Sequence, residues 1–263
     1  MKGDTLVGIH AVEEWLDAEP PRISALLVGP GANDRVRRLI DRARERGISV
    51  RAIARADLER LAGQRNSQGV AAEVRPFPYA QLEACSGDTV LIVDGVTDPQ
   101  NFGAILRSAA FFKVGAVVVP MDRSAPVSPV VERTAAGAAA RVPIVQAPSL
   151  VAAVESLKAR GYRIVASIVG GHTHLAEADL SGPVALVVGS EGQGIRPSIR
   201  RLADQRVALP SDGLESLNVA SFTSVLLYAA AAANHRPSVG GSAVRPRAGP
   251  GFVGGSADEF EED

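Results

Sequence analysis

Three stretches of this 263-residue chain place polar side chains where apolar runs end, which is where open α/β sheets bind their ligands. The first is DGVTDPQNFGAILRSAAFF, residues 94–112. Asp98 followed by Pro99 reads as a helix start, because Asp can cap and Pro suits the first helical position. Asn101 would then lie in the first turn and Arg107 six residues on, about 240° around the axis at 100° per residue. One helix face cannot present both. Either the helix begins after Asn101, or two subunits contribute, or Asn101 is a local cap and Arg107 a surface arginine. The second stretch is VALVVGSEGQGIRP, residues 184–197, an apolar strand running into Gly189, Gly192 and Gly194 with Glu191 between them. Glycines there let backbone approach a ligand closely; an ordinary turn with a solvated Glu191 is the plainer alternative. The third, ALPSDGLESLNVASFTSVLLYAAAA, puts Ser216 and Asn218 at the mouth of a long apolar helix, as caps, as ligand contacts, or as both.

A fourth group is basic. The segment NDRVRRLIDRARER, residues 33–46, has six Arg and three acids. Its apolar positions Val36, Leu39, Ile40 and Ala43 follow helical spacing. The opposite face, with Arg35, Arg38 and Arg42, is either a solvated surface or a strip that lies along phosphates. Other chemistry finds little support. Cys85 is the single cysteine, so there is neither an internal disulfide nor a cysteine zinc site, and with no basic neighbour in sequence it reads as an inert thiol. His172 and His174, in GGHTHL, read as a loop, and no metal site is expected. No P-loop, HExxH or Ser-His-Asp signature is present. A Rossmann dinucleotide site needs its glycines after the first strand, where this chain has DGVTDPQN.

These groups need elements to hold them. Residues 88–236 alternate strands (90–95, 116–120, 142–146, 162–169, 184–189, 206–210) with helices (about 99–113, 129–139, 149–160, 196–204, 217–235). The strands are nearly continuous Val/Ile-rich runs, as a sheet covered on both faces requires. That predicts a doubly wound α/β domain. Residues 1–76 read as a smaller α/β domain, with strands at 23–29, 48–54 and 69–75 and helices after Gly8, at 34–46 and at 57–63. Residues 77–87 read as a linker stiffened by Pro76 and Pro78. Residues 237–263 hold 6 Gly and 3 Pro, end in DEFEED, and have too few apolar groups to offset ordering, so a disordered acidic tail is expected.

The formal charge is −1, which gives no whole-chain hint of nucleic acid; basic surface must be local. Residues 1–78 carry 13 basic and 11 acidic side chains, and residues 79–236 carry 13 of each. Residues 1–10 have no apolar signal core, and no apolar run approaches the roughly 20 residues that span a bilayer. A cytoplasmic protein with no membrane partner is expected.

Taken together, the three stretches resemble the SpoU, or TrmH-type, branch of the SPOUT RNA methyltransferases. The resemblance rests on Asn101-x-Gly103-x-x-x-Arg107, on Gly189-x-Glu191-Gly192-x-Gly194, and on Leu209-Pro210 followed by Ser216-Leu217-Asn218-Val219, in that order and covering residues 88–236. The first 76 residues are similar to the substrate-binding domain that precedes the catalytic domain in many members, including Gly8-Ile-His-Ala-Val12 and the stretch from Asn66. Two departures are visible: the turn between Pro210 and Ser216 is one residue shorter than the family's, and ASFTSVLLYA follows Val219.

The resemblance implies a trefoil knot that forms an S-adenosylmethionine pocket, a homodimer with its site near the interface, and methyl transfer to a ribose 2′-hydroxyl. The usual substrate of this layout is a guanosine in 23S ribosomal RNA. Transfer RNA, or a non-catalytic RNA-binding or ribosome-assembly role, is the alternative. Gly189, Gly194, Leu209 and Leu217 would hold the cofactor; Arg107, Asn101, Glu191, Ser216 and Asn218 would form the catalytic set; Arg35, Arg38 and Arg42 would grip RNA. A guanidinium keeps its proton to about pH 12, so Arg107 suits a stabiliser of the forming alkoxide better than a base. Residues 88–236 alone are expected to bind the cofactor.

Overall fold

The computed structural model describes residues 4–17, 22–63, 67–171, 173–209 and 217–234. Asn66, His172, Pro210, Ser216 and the expected acidic tail lie outside the described residues.

The amino-terminal part is a four-stranded sheet in the order β1-β4-β2-β3, with β1 Asp4–Val7, β2 Ile23–Val28, β3 Ser49–Ala52 and β4 Val70–Val74. Three helices accompany it: α1 Ile9–Asp17, α2 Asp34–Glu45 and α3 Arg55–Ala62. β1 corrects the expected three strands. It pairs antiparallel with β4, Leu6 opposite Ala72, and only its Leu6 is fully buried, so four residues of edge strand leave little pattern to read. α2 forms as its spacing predicts. Asn33 caps it by accepting from the Val36 N–H at 2.9 Å, and Val36, Leu39 and Ala43 face the core.

The larger part is a seven-stranded sheet in the order β7-β6-β5-β10-β8-β11-β9. Its strands are β5 Thr89–Asp94, β6 Ala116–Pro120, β7 Ile144–Ala147, β8 Arg163–Ser167, β9 Thr173–His174, β10 Val184–Gly189 and β11 Gln205–Ala208. All pairings are parallel. His174, expected in a loop, sits in the two-residue edge strand β9 opposite Ala208. The helices are α4 Pro99–Phe111, α5 Pro129–Ala135, α6 Leu150–Ala159, α7 Pro197–Leu202 and α8 Val219–Asn234. Alternate strand residues point to opposite faces. Leu91 and Val93 join α4, α5 and α8 in one apolar cluster, whereas Val90 and Ile92 join α6 and α7 in another. The sheet is therefore covered on both sides, which is why its strands are apolar throughout.

The two parts share their core. One cluster runs from Leu6, Trp15 and Leu26 through Val131 and Ala135 to Phe102. Within it, Arg22 at the start of the β2 segment is 3% exposed and forms an ion pair with Glu132 of α5, 1% exposed. The Arg22 guanidinium packs on the Trp15 ring, 5.0 Å away, and the Phe77 ring, 5.3 Å away, which meet each other edge-on, and its Nε donates to the Arg75 carbonyl at 2.7 Å. Residues 77–87 are laid down on the larger part. Phe77 and Tyr79 stack edge-on, the Tyr79 hydroxyl accepts from the Val127 N–H at 3.0 Å, and Ala80 bridges to Val145.

Candidate active site

Strand register brings the first two stretches together. In the parallel β5–β10 pair, Gly189 lies directly opposite Asp94, so DGVTDPQN and GSEGQG leave the sheet side by side at its carboxyl rim. After Gly189 the chain closes a tight turn, with Gly194 N–H donating to Ser190 O at 2.9 Å. A Cβ on Gly189 would lie 2.2 Å from the Gly194 carbonyl carbon, so the closure requires glycine there.

Asp94 fastens the far side of this turn. Its carboxylate is buried and accepts from the Arg196 backbone N–H at 2.8 Å and from Arg196 Nε at 2.6 Å. Sequence reading did not single out this pair. The signal was present, since Asp94 is the one acid ending the apolar run VLIVD, but nothing local tied it to an arginine 102 residues away.

α4 starts as its sequence dictates, with Asp98 accepting from the Gln100 N–H at 3.0 Å and Pro99 in the first turn. Asn101 is thus inside the helix, which removes the option that the helix begins after it. Asn101 Nδ2 donates to Glu191 Oε1 at 3.3 Å. Asn218 Nδ2 donates to the same oxygen at 2.7 Å and to Asn101 Oδ1 at 2.8 Å. The Val219 N–H, first in α8, also donates to Glu191 Oε1 at 3.2 Å. Asn218 is at the same time the cap of α8, its Oδ1 accepting from Ala220 and Ser221 N–H groups at 3.0 and 3.3 Å. A carboxylate at a helix N-terminus meets both free N–H groups and the positive end of the helix dipole. Glu191 therefore gathers all three stretches on one oxygen, and the solvated-turn alternative does not hold for it.

Arg107 is not part of this network. It is exposed on the side of α4 turned away from Asn101. Phe111, four residues on and so on the same helix face, is 79% exposed. α8 contributes Val225 and Tyr228 as exposed apolar neighbours, and Phe112 and Tyr228 rings meet at 6.5 Å. The two helices are joined by Ser108 and Ser224 hydroxyls at 2.8 Å.

Of the residues expected to hold a cofactor, Gly189 and Gly194 form the turn just described. Leu209 is half-buried against the core, and Leu217 is exposed beside Asn218. Ser216 lies outside the described residues. Arg35, Arg38 and Arg42 are not a free basic strip. Arg35 binds Glu13 through Nε at 3.1 Å and Arg42 pairs with Asp17, both acids being on α1, while Arg38 is exposed. The bond from Arg35 holds the Glu13 carboxyl below the usual glutamate range. Cys85 is fully buried, and loss of hydration pushes its thiol up, away from a nucleophile.

A parallel sheet with a glycine turn, an amide–carboxylate network and an arginine-bearing helix at its carboxyl rim defines a class of ligand-binding α/β protein. The chain belongs to the SpoU rRNA methylase family, whose model matches residues 88–228. The model described as RNA 2′-O ribose methyltransferase substrate binding matches residues 5–80. The chain is 37% identical over 240 residues to the 23S rRNA (guanosine-2′-O-)-methyltransferase RlmB of Acinetobacter baylyi, covering 87% of this chain and 97% of that protein. It is 38% identical over 233 residues to an uncharacterized tRNA/rRNA methyltransferase of Mycobacterium avium, covering 85% and 75%. In fold it is similar to the SpoU methyltransferase AviRb of Streptomyces viridochromogenes in complex with AdoMet, with a TM-score of 0.74 at 24% identity over 86% of this chain and 88% of that one. A crystal structure of an RNA 2′-O ribose methyltransferase gives a TM-score of 0.72 at 26% identity, covering 88% and 89%.

Proposed function

We propose that this protein transfers a methyl group from S-adenosylmethionine to the ribose 2′-hydroxyl of a guanosine in 23S ribosomal RNA, in the cytoplasm. The observation that carries the reading is the convergence of Asn101, Glu191 and Asn218 from three separated stretches onto one rim of the sheet. The substrate follows the relative RlmB, which this chain matches along nearly its whole length.

The rim suits a nucleoside cofactor. The turn from Gly189 to Gly194 bares backbone at its three glycines, and half-buried Leu209 and exposed Leu217 offer apolar surface. Gly189, Gly194, Leu209 and Leu217 would hold the cofactor, which supplies an electrophilic methyl on a sulfonium. The protein's share is alignment and charge. Glu191 fixes the start of α8 and the two amides; Asn218, fully engaged, holds the geometry, and Asn101, with an N–H to spare, would orient a ribose. In-line placement of this kind contributes up to about 7–11 kcal/mol. Arg107 donates to the forming alkoxide or to an adjacent phosphate through a fork of N–H groups.

Arg107 faces away from its own Asn101, so the complete site takes Arg107 from a second copy of the chain. The exposed face made by Phe111, Val225 and Tyr228 beside Arg107 supports a homodimer through α4 and α8. The family's trefoil knot, with the chain beyond Leu209 threaded through an earlier loop, belongs to the same reading.

The test is to map 2′-O-methyl sites in ribosomal and transfer RNA from cells with and without the gene, then to restore the missing mark with purified protein. A single lost guanosine mark in 23S RNA is expected. Loss confined to transfer RNA moves the substrate, and no loss in either RNA overturns the reading.

A further inference from the structure

Many arginines of this molecule are matched to carboxylates, among them Arg35 to Glu13, Arg51 to Glu73, Arg141 to Glu14, Arg163 to Asp179 and Arg196 to Asp94. Arg38 and Arg107 are exposed singly, and one further group is clustered. A cavity of about 310 Å³ opens between α7 and the turn that follows β8, lined by Arg200, Arg201, Arg206, Pro197, Gly170 and Gly171. All three arginines are exposed, and among the described residues none makes an ion pair. Arg206 instead donates to the Arg200 backbone carbonyl at 3.4 Å, which holds the Arg206 side chain against α7. Three like charges converging on one concavity repel one another unless an anion joins them. The fork geometry of guanidinium suits phosphate oxygens, and Gly170, with open space where a Cβ would stand, leaves room for a phosphate backbone to come close.

The cavity sits on the far side of the active-site turn. Pro197 is six residues after Glu191, so the two lie within roughly 20 Å of each other even along fully extended chain. The Asp94–Arg196 pair fixes the start of α7 to the same rim. The turn lining the cavity leaves β8, the neighbour of β10 in the sheet. Exposed Val169, next to Gly170, adds an apolar surface for a sugar or base.

We infer that the Arg200–Arg201–Arg206 cavity binds a backbone phosphate of the RNA substrate a few nucleotides from the ribose that is methylated. This rests on the RNA reading given above. It places part of the RNA grip in the larger domain, on the α7 side, separate from the amino-terminal α2 face.

The experiment uses the full chain and its Arg201→Ala/Arg206→Ala variant, both side chains being exposed, with a thermal melt to verify folding. Binding of fluorescein-labelled single-stranded polyadenylate is followed by anisotropy from low to physiological salt. Cofactor binding is measured by calorimetry, and methyl incorporation on unmodified 23S transcript is scored separately. The variant is expected to bind polyadenylate about tenfold more weakly, with a salt slope shallower by about 1, while its affinity for S-adenosylmethionine is unchanged. Unchanged RNA affinity and slope overturn the inference. So does selective binding of a free DEFEED peptide at this cavity with no effect on RNA, which would make the occupant an acidic protein segment. Absence of methyl incorporation by the wild-type chain counts against the methyltransferase reading instead, and is read independently of the binding slopes.

Discussion

Two carboxylates in this molecule bind nitrogen donors in opposite settings. Glu132 meets the Arg22 guanidinium at the junction of the two sheets, shut away from water where Arg22 packs on Trp15 and Phe77. Glu191 meets two amides and a backbone N–H at the carboxyl rim, exposed to solvent. The first arrangement is closed: both charges are shut inside the junction, and Arg22 Nε is further held by the Arg75 carbonyl. The second engages Asn218 fully but leaves Asn101 an N–H and a lone pair to spare, at a rim open to solvent. The difference separates a polar group that fixes architecture from one that fixes a site, and burial distinguishes them more clearly than residue type does.

The contrast can be broken most directly at Glu132. Replacing Glu132 by Ala leaves Arg22 charged and buried, and should cost about 3–5 kcal/mol in urea unfolding. A loss under 1 kcal/mol would mean that the junction admits water. Arg107→Ala should leave stability nearly unchanged while kcat/KM falls about 10²–10³-fold, or roughly 3–4 kcal/mol of transition-state stabilisation. Arg107→Lys keeps the charge but loses the fork, and near-native turnover in that variant across pH would refute the positional role given to Arg107. Glu191→Ala removes exposed hydrogen bonds and should cost about 1 kcal/mol of stability, with a much larger loss of turnover. Equal destabilisation by Glu132→Ala and Glu191→Ala would erase the distinction.

The smallest expected effect concerns Glu13, whose carboxyl is held low by its bond from Arg35. A depressed folded value stabilises above the ordinary glutamate value of about 4.3 and loses that contribution as pH falls through the folded value. The pair is partly exposed, so Arg35→Ala should flatten the acid limb of the stability curve by no more than a few tenths of a kcal/mol. The same variant tests α2 as an RNA grip. With Arg35 and Arg42 already committed to α1, Arg38→Ala should weaken RNA binding at least as much as either.

The larger sheet was legible because its strands are covered on both faces, so VLIVD, AVVVP and VALVVG are unbroken apolar runs. The site was legible because each of its stretches begins where such a run stops. What escaped was whatever depends on distant partners. The Arg22–Glu132 pair spans 110 residues, and neither position stands out locally. Arg35, Arg38 and Arg42 share a helix face in α2, but the acids that neutralise two of them lie on α1, which periodicity within α2 cannot reveal. β1 was too short to show alternation. Helix geometry alone does not say whether Arg107 serves its own site or a second copy's, and the fold narrows the choice by starting α4 at Pro99.

The shared apolar cluster has a practical outcome for anyone dissecting this enzyme. A fragment beginning near residue 88 would present Val131, Ala135 and a naked Glu132 carboxylate to solvent, a greasy scar with a stray charge in the middle. Against the expectation that residues 88–236 alone bind the cofactor, such a fragment should express poorly and self-associate, whereas the intact polypeptide should melt in a single calorimetric step, its halves sinking or surviving together.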